Sequence, residues 1–199
     1  MYRGMELRDE LTGLPSRRRL REELGSHIAR TRRSGWQGAL LAVDLDGFKA
    51  LKDTMGDEAG DQLIRRTAEK LQARLRGSDF VARVGTDQFA VLLHDADVTA
   101  ARIVADTLVT AIACEDSDQV PCTTASVGIA LCDGPISGEE LILRADVALS
   151  AAKERGGSIF ALYSPTIDGR YQAEAVEEPN GNGPDTLAGA RSQHRHDQA

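Results

Sequence analysis

Arg83-Val84-Gly85-Thr86-Asp87-Gln88-Phe89, running on into Ala90-Val91-Leu92-Leu93, decides how this chain folds. Two apolar runs, Phe80–Val84 and Phe89–Leu93, flank a short polar turn, which is the sequence form of a β-hairpin. Gly85 at the apex predicts a tight turn with positive φ, because glycine has no Cβ to clash there. Asp87 follows at once, so the turn is expected to set bare backbone N–H groups beside a carboxylate. Anionic oxygens and a divalent metal would both find partners in such a place. On this stretch alone, a hairpin tipped by a solvated acid is the simpler reading.

A second stretch changes the balance. Leu40-Leu41-Ala42-Val43-Asp44-Leu45-Asp46-Gly47-Phe48-Lys49 reads as a buried strand that ends in two acids, a glycine and a lysine. Together the two stretches resemble the GGDEF family, the diguanylate cyclases. The signature there is R-x-G-G-(D/E)-E-F on a hairpin, with D-x-D-x-F-K closing an earlier strand. This chain carries G-T-D-Q-F. Upstream, Asp9-Glu10-Leu11-Thr12-Gly13-Leu14-Pro15-Ser16-Arg17-Arg18 is a loop feeding a helix, with Leu20, Leu24 and Ile28 on one face. It is also similar to the family's D-x-L-T-G-L-x-N-R opening, with Ser16 where Asn is usual. Ser126-Val127-Gly128-Ile129-Ala130 resembles the S-x-G-I-A strand of the same family.

Periodicity fills in the rest. Phe48–Met55 reads as a short helix or turn. Asp57–Arg76 is a long helix with Leu63, Ile64, Thr67, Ala68, Leu71 and Leu75 at helical spacing. Val98–Ala113 is a second amphipathic helix, with Ile103, Leu108 and Ile112 expected to face inward. An acidic loop, Glu115–Gln119, leads to a strand over Val120–Leu131. A third helix spans Ser137–Glu154, and a last strand Ser158–Tyr163. The order suggests an α+β layer architecture, with helices flanking a mostly antiparallel central sheet. The resemblance implies the palm-like (ferredoxin-like) fold of nucleotide cyclases. Residues 1–8 are a short N-terminal lead, 9–165 the GGDEF-like domain, and 172–199, rich in Glu, Pro, Gly, Asn and Arg, an expected disordered tail.

Composition narrows the partners. A formal net charge of −7 argues against broad electrostatic binding to nucleic acid or to an anionic membrane. Cys114, Cys122 and Cys132 are odd in number and lack C-x-x-C spacing, which suits buried thiols in a reducing cytoplasm. No apolar run is long enough to span a bilayer, and the N-terminus lacks a signal-peptide core. A cytoplasmic location is expected.

The resemblance also implies a chemistry. Joining two GTP molecules into cyclic di-GMP needs a 3′-hydroxyl to attack an α-phosphate, with Mg²⁺ or Mn²⁺ held by carboxylates against the accumulating charge. By resemblance Asp44 and Asp87 are the metal-coordinating acids, with the backbone carbonyl of Leu45 as a third ligand. Phe48, Lys49, Gly85 and Lys153 match nucleotide-binding positions, the two lysines on the phosphates. Asp61 matches the carboxylate that reads the guanine N1–H and N2 amine, a paired donor edge suited to an acceptor-only group.

Four positions depart from the family pattern. Lys52 replaces the Asn that also reads guanine, and a lysine can only donate. Thr86 replaces the second turn glycine, where a β-branched residue resists positive φ. Gln88 replaces the catalytic Glu and brings no charge. Gly157 stands where an Arg helps hold phosphates. Losing even one transition-state contact costs roughly 10²–10³ in rate, so a catalytically inactive site is expected.

Arg76-Gly77-Ser78-Asp79, by contrast, matches the family's R-x-x-D motif intact. By resemblance Arg76 and Asp79 form an allosteric cyclic di-GMP site, with an arginine fork for phosphate or guanine and an acid for the Watson–Crick edge. Three readings follow. The first is a degenerate regulator that binds cyclic di-GMP there, or GTP at the remnant site, and signals to an unidentified protein partner. The second is an active diguanylate cyclase working as a homodimer, since each domain holds one GTP. The third is a scaffold that binds no nucleotide.

Overall fold

In a computed structural model, which describes residues 7–35, 37–113, 123–164 and 172–175, the hairpin lies at one side of a six-stranded sheet. The elements, in order, are α1 (Arg17–Ser34), β1 (Ala39–Leu45), α2 (Phe48–Met55), α3 (Asp57–Arg74), β2 (Phe80–Arg83), β3 (Gln88–Leu93), α4 (Val98–Ile112), β4 (Ala125–Leu131), α5 (Gly138–Glu154), β5 (Phe160–Ser164) and β6 (Gln172–Ala175). The strand order is β2-β3-β1-β4-β5-β6. Every pairing is antiparallel except β4 with β5. This is the α+β, palm-like arrangement expected.

Strand alternation builds two cores. Leu41, Val43, Val91, Val127 and Ile129 face α3 and α4, where Leu63, Ile64, Leu71, Leu108 and Ile112 meet them. Leu40, Ala90, Leu92 and Ala130 face α1 and α5, against Leu20, Leu24, Leu141 and Ala145. β1 is covered on both faces, which is why its sequence is apolar without alternation. Gly35 ends α1 at φ 70°, its N–H donating to the Thr31 carbonyl.

Three expectations change. Ile103 is 62 % exposed, since Ala101, Ala105, Leu108 and Ile112 supply the buried stripe of α4. Gln172–Ala175, placed above in a disordered tail, form β6, with Ala161 opposite Ala175 and Ser164 opposite Gln172. Edge pairing is made by backbone groups, so a segment without apolar periodicity can still add a strand. The long strand expected over Val120–Leu131 begins at Ala125 among the described residues. The acidic loop, Cys114, Cys122 and the rest of the tail lie outside the described residues, whereas Cys132 is buried as expected. Among the described residues no helix is long and apolar enough to cross a membrane.

Candidate active site

β1 and β3 run antiparallel with Asp44 opposite Gln88, so the end of one strand meets the turn of the hairpin. That register brings Asp44, Asp87 and Gln88 together, and α5 adds Lys153. Asp44 is only 3 % exposed. Its Oδ2 accepts from Gln88 Nε2 at 3.0 Å, and Lys153 Nζ, on the last turn of α5, lies 2.5 Å from its Oδ1. The Lys153 approach is a charge contact rather than an aligned hydrogen bond, which leaves Oδ1 without a hydrogen-bond donor. Asp87 sits beside this group, and its backbone carbonyl accepts from Leu45 N–H at 3.2 Å. Burial, and then the charge of Asp44, push the Asp87 carboxyl above its usual range, against the pull of Lys153 and Arg83. Two crowded carboxylates favour a bound cation.

The donor set fits one hard divalent ion: Asp44, Asp87 and the Leu45 carbonyl offer only oxygens. Among the described residues no group of three or more His, Cys, Asp or Glu forms a metal cage. The remaining ligands would therefore have to be water or substrate phosphate, as is usual for Mg²⁺. Such an ion would have to take Oδ1 from Lys153.

The turn is not built as its sequence suggested. Gly85 does not have positive φ, and neither does Thr86; Ser158 is the one described non-glycine residue that does. Gly85 is needed for space instead: an added Cβ would lie 2.9 Å from Gln88 Oε1 and 3.1 Å from Gln88 Cβ. Nor are its N–H groups bare, for Val84 and Gly85 both donate to the Gln88 carbonyl, at 2.9 and 3.2 Å. So threonine at position 86 costs no backbone strain.

Arg83 holds the turn from below. Its Nε donates to the Gly85 carbonyl at 3.1 Å and its Nη2 to the Thr86 carbonyl at 2.7 Å. Its Nη1 reaches both Asp9 oxygens at 3.1 Å. Burial works against ionising Asp9, but the Thr12 hydroxyl and amide together with Arg83 outweigh it and hold the carboxyl below its usual range. The Asp9–Arg18 motif is thus a brace for the hairpin. Arg17 adds a bond from Nε to the Val84 carbonyl at 2.7 Å.

Asp46, the second acid after β1, was given no role by its sequence and has the densest bonding here. Oδ1 accepts from Ser126 Oγ at 2.7 Å; Oδ2 accepts from Thr124 Oγ1 at 2.7 Å and from Ser158 N–H at 3.0 Å. Its signal was the spacing Asp44-x-Asp46, but its partners lie far along the chain.

The remaining positions divide. Phe48 is 5 % exposed and packs in the core, with Gly60 against its ring edge. Lys49 is exposed. Lys52 Nζ pairs with Asp57 at 2.9 Å, and hydrogen bonding to Asp57, then its charge, raise the ammonium pKa, with Asp61 also nearby. Gly157, at φ 73°, lies over the Asp46 carboxylate, where a Cβ would come within 3.0 Å of Oδ1. Arg76 and Asp79 form a closed turn away from these groups. The Asp79 N–H donates to the Arg76 carbonyl at 2.9 Å, and Asp79 Oδ2 accepts from Arg76 N–H at 3.0 Å. The Arg76 side chain is exposed. His94, unremarked in the sequence, contacts this turn through the Ser78 carbonyl.

Known proteins share this fold. Residues 6–158 match the family model described as "Diguanylate cyclase, GGDEF domain". The diguanylate cyclase DgcP of Pseudomonas aeruginosa is 39 % identical over 157 residues, which are 77 % of this chain and 23 % of DgcP. The bifunctional diguanylate cyclase/cyclic di-GMP phosphodiesterase MucR of the same species is 34 % identical over 173 residues, 85 % of this chain and 25 % of MucR. The chain therefore spans about a quarter of each of these relatives. Among solved structures, the GGDEF domain of DgcB from Caulobacter crescentus in complex with c-di-GMP superposes with a TM-score of 0.74 at 27 % identity, covering 80 % of this chain and 95 % of that one. The GGDEF domain of TpbB (YfiN) from Pseudomonas aeruginosa gives 0.73 at 32 %, covering 78 % and 93 %.

Proposed function

Since this chain belongs to the GGDEF family of diguanylate cyclase domains, we propose that it acts in cytoplasmic cyclic di-GMP signalling as a nucleotide-binding regulator that makes little or no product. One observation carries this reading. Where the family has a catalytic Glu, the Gln88 amide donates to Asp44, the acid best placed to hold a metal. An amide in that place neither accepts a proton nor adds charge for a second ion. A Mg²⁺ or Mn²⁺ ion held by Asp44, Asp87 and the Leu45 carbonyl would supply charge neutralisation at a bound GTP. Lys49 and Lys153 would meet its phosphates, and Asp61 its guanine. Lys52, turned to Asp57, presents no acceptor to the base. Cyclic di-GMP would bind at Arg76 and Asp79, as the likeness to a domain solved with c-di-GMP supports.

A second reading keeps a specific observation in its favour. Thr86 has no positive φ, so one of the four departures costs less than its residue type implies. An active cyclase would also need a homodimer. Turnover separates the two readings: GTP with Mg²⁺, then with Mn²⁺, products resolved by chromatography. We expect a rate at least ~10²-fold below that of an intact family member. The double variant Thr86→Gly, Gln88→Glu should stay inactive, because Lys52 and Gly157 remain; product from that variant would show that these two positions matter less than their residue types imply, whereas wild-type turnover at the rate of an intact family member would sink the regulator reading.

Binding is the complementary test. Arg76→Ala should weaken cyclic di-GMP binding about 100-fold by calorimetry, since a charged fork to phosphate or guanine supplies roughly 1.5–3 kcal/mol per bond. Unchanged affinity would place the ligand elsewhere.

A further inference from the structure

We propose that His94 is a positioning residue for the Arg76–Asp79 turn, a proton-dependent latch that holds the turn in the shape that binds cyclic di-GMP. The proposal rests on the reading of that turn as the dinucleotide site.

The geometry is specific. His94 follows the end of β3. Its Nδ1 lies 2.6 Å from the Ser78 carbonyl oxygen and its Nε2 3.1 Å from Glu23 Oε1 on α1. Both partners are acceptors only. A neutral imidazole has one N–H and satisfies one of them; the imidazolium donates to both. Ser78 lies inside the turn that the Arg76 and Asp79 hydrogen bonds close. A protonated His94 therefore ties that turn to α1. The His94 and Glu23 side chains are 19 % and 18 % exposed, so water replaces a lost bond poorly.

The other groups around His94 leave it this role. From α1 come Glu23, His27 and Arg30, and Glu23 also pairs with Arg30 at 3.3 Å and Arg19 at 3.7 Å. From the turn comes the Ser78 carbonyl, with Asp79 committed to the Arg76 amide. Asp95 follows His94 in the chain. The His27 ring packs edge-on at 5.1 Å. Burial first, and then the charges of His94 and Arg30, hold His27 down at about 4, so above that pH it is neutral and adds no charge beside the His94 ring. When His94 loses its proton, one ring nitrogen turns a lone pair on an acceptor. If Glu23 keeps the N–H, that repulsion falls on Ser78 and the turn must move.

The test is calorimetry of cyclic di-GMP binding between about pH 5.5 and about pH 8.5, the range in which an imidazole titrates. Wild-type affinity should fall about 10-fold across the range, the loss of one charged hydrogen bond. His94→Gln should bind weakly at every pH. Glu23→Gln should bind well at every pH, because its amide can accept from the imidazolium or turn over and donate to the neutral ring. Packing alone would leave the Glu23→Gln profile like that of wild type. A flat wild-type profile, or one unchanged by Glu23→Gln, overturns the latch. Should wild type bind no cyclic di-GMP at any pH, the dinucleotide reading itself fails. The latch is then judged by amide exchange at Ser78 and Asp79, corrected for intrinsic pH dependence. Protection lost with rising pH in wild type and retained in Glu23→Gln supports it; equal profiles overturn it.

Discussion

Gly128→Ala should remove most of the domain's stability. Gly128 sits in β4, paired to Ala42 on one side and Ala161 on the other. A Cβ there would lie 2.1 Å from the Ala145 carbonyl oxygen and 2.2 Å from the Leu149 amide nitrogen, with Leu149 Cα at 2.8 Å. These are main-chain atoms of α5, so no rotamer relieves the clash. The whole helix would have to lift, pulling the buried Ala145, Ala148, Leu149 and Ala152 off the sheet. Overpacking a core costs about 1–3 kcal/mol when side chains can shift. With backbone on both sides the cost should exceed that range and take most of a typical stability of about 5–15 kcal/mol. Urea denaturation followed by circular dichroism reads the effect directly. A variant with the wild-type midpoint would mean that α5 does not rest on this strand as described. Lys153 rides on the same helix, so any folded remainder should also lose the Lys153–Asp44 pair.

Asp46→Ala should remove about 3 kcal/mol of stability. The substitution strips the acceptor from Ser126 Oγ, Thr124 Oγ1 and Ser158 N–H at once, and Ser126 is fully buried. Each lost bond to a charged acceptor is worth about 1.5–3 kcal/mol, less where water can enter. The damage should also be local. Gly156, Gly157 and Ser158 form a left-handed run at φ 110°, 73° and 58°, and Asp46 holds the one non-glycine among them. Without it the turn between α5 and β5 should relax. Amide exchange at Gly157 and Ser158 should then rise well above its rise elsewhere in the sheet. Uniform loosening, or none, would show that the turn is held by other means. Asp46→Asn should cost less, because one amide oxygen can still accept from Ser158.

Particular residues show how far the sequence reached. Asp44 and Asp87 could be named together in advance because a motif at strand ends carries its own geometry, and the antiparallel register of β1 and β3 does the rest; Lys153 reaches Asp44 only because α5 packs on the same sheet. The inward faces of α1 and α3 were likewise readable, since a side-chain period of 3.6 is a local property of the backbone, whereas on α4 Ile103 was placed inward and lies exposed. The turn was not readable. A glycine suggests positive φ, yet Gly85 serves the Gln88 side chain, whose position depends on Asp44 across the sheet. Gly128 was legible as a glycine in a strand, but the helix backbone resting on it was not. Asp46 and His94 were hidden for the same reason. Their partners lie 78 to 112 residues away for Asp46 and 16 and 71 for His94, and nothing local marks them. By itself, then, the sequence determined the family fold, the acids at the strand ends and the uncharged Gln88 beside them, because these follow from residue type and local period. Only the tertiary structure decided which acid is braced, which glycine yields space and which histidine reaches the Arg76–Asp79 turn. Hydrogen bonds and close packing between distant segments exist only once the chain has closed.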